Sequence, residues 1–112
     1  GMAPLVSHIY ELGLVEAISI PQTECFEGAL QFARAEGIVP APEPTHAIAA
    51  AVREAMACKE SGEEKVILTA LCGHGHLDLA AYETFLSGQM VDLGLPDSAI
   101  QEAMQNVPEI EG

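Results

Sequence analysis

Positive charge is what this sequence has least of. Its 112 residues hold four fixed cations, Arg34, Arg53, Lys59 and Lys65, against 17 aspartates and glutamates, for a formal net charge of −13. A nucleic-acid surface works by releasing counterions from phosphates with clustered Lys and Arg, so no nucleic-acid partner is expected. Long apolar runs are missing too. Nothing approaches the roughly 18 residues of a membrane span, and no charged segment leads into a signal-type apolar stretch. A soluble protein of the cytoplasm with no membrane partner is expected. Cysteine is scarce and odd in number. Cys25, Cys58 and Cys72 stand too far apart for a disulfide framework or a four-thiolate zinc site, and read as reduced thiols.

The chain is nevertheless built to fold. Hydrophobic residues make up 49% of it and its mean hydropathy is +0.24, which separates it from a disordered acidic tail. Residues 1–112 are expected to form a single domain, and a chain of this size hides roughly 65% of its unfolded surface. Gly1 before Met2 reads as a cleavage scar and is left out of the fold argument.

Apolar positions at Leu5, Val6, Ile9, Tyr10 and Leu12 predict a first helix from Pro4, stopped by Gly13. Residues 15–20 are short, carry β-branched side chains and end at Pro21, which predicts a strand. Thr23 is a candidate N-cap for a second helix that runs through Phe26, Ala29, Leu30 and Ala33 to Gly37. Pro40, Pro42 and Pro44 then predict a fixed extended connection, followed by a third helix over about 45–59. The uninterrupted run from Ala47 to Val52 leaves that helix without a polar face. Either it is buried on all sides in a larger body or an oligomer, or its alanines simply tolerate exposure. Residues 65–71 read as a buried strand of a parallel sheet. A fourth helix is expected over about 78–86 and a fifth over about 97–106, with Ser98 and Gln101 at capping-box spacing and Pro108 beyond. The expected fold class is α/β: a short parallel sheet, with strands near 15–20 and 65–71 joined by a right-handed crossover, and several flanking helices.

Two segments could carry chemistry. The turn Cys72-Gly73-His74-Gly75-His76-Leu77-Asp78 follows the second expected strand, where ligands gather in open α/β sheets. It admits three readings. Glycines before a helix could cradle an anion, although Asp78 would oppose a phosphate. Cys72, His74, His76 and Asp78 could hold a metal, with His8 or His46 completing the set. Or the turn is only a tight passage whose histidines are hydrogen-bonded. The second segment sets Glu43 between two prolines just before a helix, either as a rigidly aimed carboxylate or as an acid complementing the helix dipole.

Together the segments resemble a family. Gly37-Ile-Val-Pro-Ala-Pro-Glu-Pro-Thr-His-Ala-Ile48, a helix, and then Val66-Ile-Leu-Thr-Ala-Leu-Cys-Gly-His-Gly-His-Leu-Asp78 are similar to the C-terminal part of tryptophan synthase β chains. The match is to the diverged second group, whose glycine turn has the Gly-His-Gly-His form. Ala3-Pro-Leu-Val-Ser7 and Gln31-Phe-Ala-Arg-Ala-Glu-Gly37 extend the resemblance over nearly the whole chain. It implies a fold-type II pyridoxal-phosphate enzyme that condenses an indole-type nucleophile with a group derived from serine.

By the same resemblance, Glu43 matches the catalytic glutamate beside the cofactor ring. Cys72 matches the position, commonly Ser, whose side chain hydrogen-bonds the pyridine nitrogen, and Gly73 follows it as a cofactor-binding position. A thiol donates more weakly than a hydroxyl. His74 and His76 match the turn without an implied role, and no metal is implied. The family's Schiff-base lysine and glycine-rich phosphate loop have no counterpart in this sequence. Lys59 and Lys65 read as solvated surface charges. The chain is therefore expected to be a C-terminal fragment that does not catalyse alone and binds no stoichiometric pyridoxal phosphate, acting beside the missing N-terminal part of the enzyme. The alternative is a free-standing small acidic α/β binding or regulatory protein, a homodimer that hides its third helix; a homo-oligomer or the missing N-terminal part is the expected partner.

Overall fold

A computed structural model describes residues 3–105 and 107. Gly1, Met2, Asn106 and Pro108, to which the readings above also refer, lie outside the described residues. Five α-helices follow in order: α1 (Pro4–Glu11), α2 (Gln22–Glu36), α3 (Pro42–Ser61), α4 (Leu79–Leu86) and α5 (Asp97–Met104). A single 3-10 turn, Gly75–Leu77, precedes α4.

The expected parallel sheet is overturned. Among the described residues there is no strand and hence no crossover. The one β-type contact is an isolated antiparallel bridge between Pro40 and His74. Residues 15–20 and 65–71 are irregular, and every residue from Lys65 to Leu71 is exposed. Val66 is 100% and Leu68 95% accessible. A strand exists through its ladder partners, and the described residues bring no second backbone alongside either run. The apolar composition that suggested burial is real, but the surface it should bury against is not in this fold.

The core is the α2–α3 pair. Cys25, Phe26, Gly28 and Ala29 are the buried residues of α2, and Pro44, Thr45, Ile48 and Ala49 those of α3. Both sets recur at the three-to-four spacing of one helix face. Gly28 faces the Ala49 backbone, and a Cβ there would make ordinary contact at 3.5 Å. Ile20 packs with Cys25 and Ala49 in one cluster, and Phe26, Ala29 and Tyr82 form a second that draws in α4. Phe26 meets Tyr82 edge-on, with ring centroids 5.0 Å apart, and stacks on Phe85 at 5.6 Å. On the outside, the Arg53 guanidinium grips both carboxylate oxygens of Glu24 and holds that carboxyl below its usual range.

Helix boundaries moved for identifiable reasons. α3 starts at Pro42, not at residue 45, because a proline in the first turn costs no hydrogen bond and already has a helical φ. α2 starts at Gln22, so Thr23 lies inside the helix and is not its N-cap. The cap arrives from far along the chain. The Asp92 carboxylate accepts the Thr23 amide at 3.0 Å and the Thr23 hydroxyl as well, while the Gln22 side chain donates to the Val91 carbonyl at 2.6 Å. Ser98 likewise lies inside α5, whose N-cap position is Pro96, and the expected capping box does not form. Gly37 and Gly62 end α2 and α3 in the left-handed conformation, at φ of 71° and 73°, where a Cβ would be strained.

The fold is open. Its radius of gyration is 17.1 Å, against about 13 Å for a compact chain of this length. Its accessible surface is 8959 Å², against about 5,900 Å² for a compact monomer of this mass. α1 and α5 contain no buried residue.

Asp92 makes the acid sensitivity of this fold testable. The hydrogen bonds from Thr23 lower its pKa from the ordinary value of 3.8. Its contribution is therefore fully present above pH 3.8 and is lost as pH falls through the lower folded value. Acid titration followed by circular dichroism should show the stability of the wild type falling more steeply below about pH 4 than that of Asp92→Asn, which keeps an acceptor but no titrating charge.

Candidate functional site

The two chemistry-bearing segments, separated in sequence by all of α3, meet in the fold. The Ala41 amide donates to the Gly73 carbonyl at 3.0 Å, and the Gly75 amide donates to the Val39 carbonyl at 2.8 Å. The bridge between Pro40 and His74 lies between them. Cys72 immediately precedes the paired Gly73, and Glu43 lies two residues beyond the paired Ala41.

Glycine is required for the approach. A Cβ at Gly75 would sit 2.4 Å from the Pro40 carbonyl oxygen, and one at Gly73 would sit 3.1 Å from the Ala41 Cβ. The Tyr82 hydroxyl, buried in the core, donates to the same Pro40 carbonyl at 2.6 Å. Burial first, and the Asp78 carboxylate second, push the Tyr82 phenol up, so it remains a proton donor. α4 thereby clamps the pairing from behind.

Glu43 lies in the first turn of α3, exposed, where the helix dipole favours a carboxylate. Thr45 beside it is fully buried, and its hydroxyl donates to the Pro42 carbonyl, which fixes that turn. Cys72 is an exposed free thiol and Gly73 is half-buried. The pairing thus presents a carboxylate and a thiol at the surface from two rigidly joined segments.

The other readings of the glycine turn separate clearly. Among the described residues no three His, Cys, Asp or Glu side chains converge on a possible metal position, so Cys72, His74, His76 and Asp78 do not form a ligand set. His74 Nδ1 instead accepts the His76 amide at 3.3 Å, and the two rings lie 4.8 Å apart. Asp78 occupies the N-cap position of α4, where its carboxylate would repel a phosphate. The His74 ring is thus hydrogen-bonded within the turn, while His76 takes part through its backbone amide.

Sequence reasoning missed three contacts: Tyr82 to Pro40, Asp92 to Thr23, and the Cys25 thiol to His46 Nδ1 at 3.2 Å. None leaves a local signal, because each joins residues more than 20 positions apart.

No protein-family model matches the chain. It is 59% identical over 92 residues to tryptophan synthase beta chain 2 of Aquifex aeolicus, a match covering 82% of this chain and 21% of that protein. Its identity to tryptophan synthase beta chain 2 of Methanosarcina acetivorans is 52% over 91 residues, covering 81% and 21% respectively. To the protein of the same name from Thermotoga maritima it is 55% identical over 82 residues, covering 73% and 19%. The chain therefore spans about one-fifth of the length of the curated relatives it matches.

Two substitutions probe the pairing. Tyr82→Phe, which leaves a buried carbonyl short of a donor, should cost about 1–2 kcal/mol in urea unfolding. Gly75→Ala must push the 39–41 segment away and should cost about 1–3 kcal/mol. Amide exchange at Ala41 should rise in both variants while exchange within α2 stays slow.

Proposed function

Because the chain belongs to the tryptophan synthase β chain family as a segment about one-fifth as long as its relatives, we propose that it is the C-terminal wall of a pyridoxal-phosphate-dependent lyase joining serine and indole. It works as one part of that larger body and is inactive by itself. The observation that carries this reading is the meeting of the Glu43 and Cys72 segments through two backbone hydrogen bonds. The open surface supports it. The roughly 3,000 Å² beyond that of a compact monomer is at least one partner's share of an obligate interface, which buries about 2,000–5,000 Å² over both partners. The unpaired run from Lys65 to Leu71 carries apolar side chains that need covering.

The donor set fits one edge of the cofactor. The bound cofactor supplies an electron sink. The Cys72 thiol is a neutral donor suited to the pyridine nitrogen, where an uncharged contact keeps the ring a milder sink. Gly73 lets the backbone approach closely. Glu43, held by a proline-started helix turn, has a carboxylate able to take and return a proton at the reacting edge. Lys65 is paired with Glu63 at 3.1 Å, and Lys59 is exposed. The cations for a phosphate and the lysine that binds the cofactor belong, in this reading, to the rest of the enzyme.

Complementation tests it. The chain mixed with a relative's β chain lacking this segment should form tryptophan from serine and indole, and neither component should do so alone. Glu43→Gln should lower kcat about a hundredfold. Pyridoxal phosphate followed by borohydride should leave no one-equivalent lysine adduct on the isolated chain. Such an adduct, or full activity of the Glu43→Gln mixture, would overturn the proposal.

A further inference from the structure

The contact between Cys25 and His46 takes no part in the function above. Cys25 is 1% exposed, on the α2 face that packs against α3. His46 stands one helical turn beyond Glu43 on α3, solvent-exposed as a residue but with its Nδ1 turned to the buried thiol. Burial pushes the Cys25 thiol up, so it is protonated at neutral pH. The Thr45 hydroxyl lies beside the thiol but donates its own hydrogen to the Pro42 carbonyl, and the His46 Nδ1, at 3.2 Å, is the strongest acceptor in reach of the thiol hydrogen. The Ile20 carbonyl, at 4.0 Å, is at the limit of contact.

Only one hydrogen fits between sulfur and nitrogen. A thiol sulfur is a weak acceptor, while an imidazole nitrogen without hydrogen is a strong one. The contact is therefore better made with the thiol donating and Nδ1 bare. A neutral ring then carries its hydrogen on Nε2. The ring also borders a cleft of about 480 Å³ whose walls include Ile20, Gln22, Asp92 and Gly94.

We propose that the buried Cys25 thiol fixes His46 as the Nε2–H tautomer, making it a hydrogen-bond donor, and not a proton acceptor, toward this cleft. Cys25 is then a positioning residue, and His46 offers an N–H to an acceptor atom of whatever enters. Proton acceptance on this part of α3 falls to Glu43 alone. The inference rests on the contact geometry and stands apart from the cofactor reading.

Long-range proton–nitrogen NMR of the histidine rings in the 112-residue chain tests it without ligand or activity. In the wild type His46 should show its hydrogen on Nε2 and an Nδ1 resonance displaced by an accepted hydrogen bond. Cys25→Ser, which keeps a donor, should preserve both features. Cys25→Ala should move Nδ1 toward the position of a free acceptor and let the second tautomer appear. Hydrogen on Nδ1 in the wild type, or an Nδ1 resonance unmoved by Cys25→Ala, would overturn the proposal. The wild-type spectrum alone decides if a variant does not fold.

Discussion

The fixed relation of the Glu43 and Cys72 segments depends on the close pairing of residues 39–41 with 73–75. Two backbone hydrogen bonds make it, the missing side chain of Gly75 admits it, and the Tyr82 hydroxyl holds it from behind. It joins the start of α3 to the approach to α4. Without it, Glu43 and Cys72 would sit on opposite ends of a 20-residue helix and its return segment, with no fixed relation. The Phe26, Tyr82 and Phe85 cluster serves the same end, because it anchors α4 to α2 and so aims the tyrosine at Pro40.

What the sequence could convey follows from how local each feature is. The helices were legible because apolar spacing and glycine stops are written within a few residues, as at Gly37. The motif segments were legible as residues, and the resemblance they carry agrees with the relatives. The sheet was not. Val66, Ile67 and Leu68 have the composition of a buried strand, yet composition records what a segment is suited to pack against and not whether that partner is present. The capping errors at Thr23 and Ser98 have a similar origin. Both residues can serve as caps, but the prolines at 21 and 96 already occupy the capping position and move the hydroxyls inside the helix.

Burial in α3 resolves the question its alanines raised. Ile48 and Ala49 are buried against α2, while Ala47, Ala50, Ala51 and Val52 are partly covered. Ala51 also shares a shallow groove with Ile67 and Thr69. The helix is thus neither wholly enclosed nor an indifferent alanine surface. One face is core, and the other is bordered by the run whose own apolar side chains stand in solvent. Acidic charge and exposed apolar surface coexist here because they occupy different segments: α4 has no cation in its last turn, and Lys65 is the only charged residue of the 65–71 run.

The cap that Asp92 places on α2 has a consequence for the order in which the chain acquires structure. Cap and helix start are 69 residues apart, so the residues of the first turn of α2 are synthesised well before their acceptor. Closing a loop of that length carries an entropic cost that only contacts already made can offset. The α2–α3 pair and the docking of α4 shorten the effective loop and so lower that cost. Any shortening of the chain before residue 92 would leave the start of α2, half of the core pair, with its end unsealed.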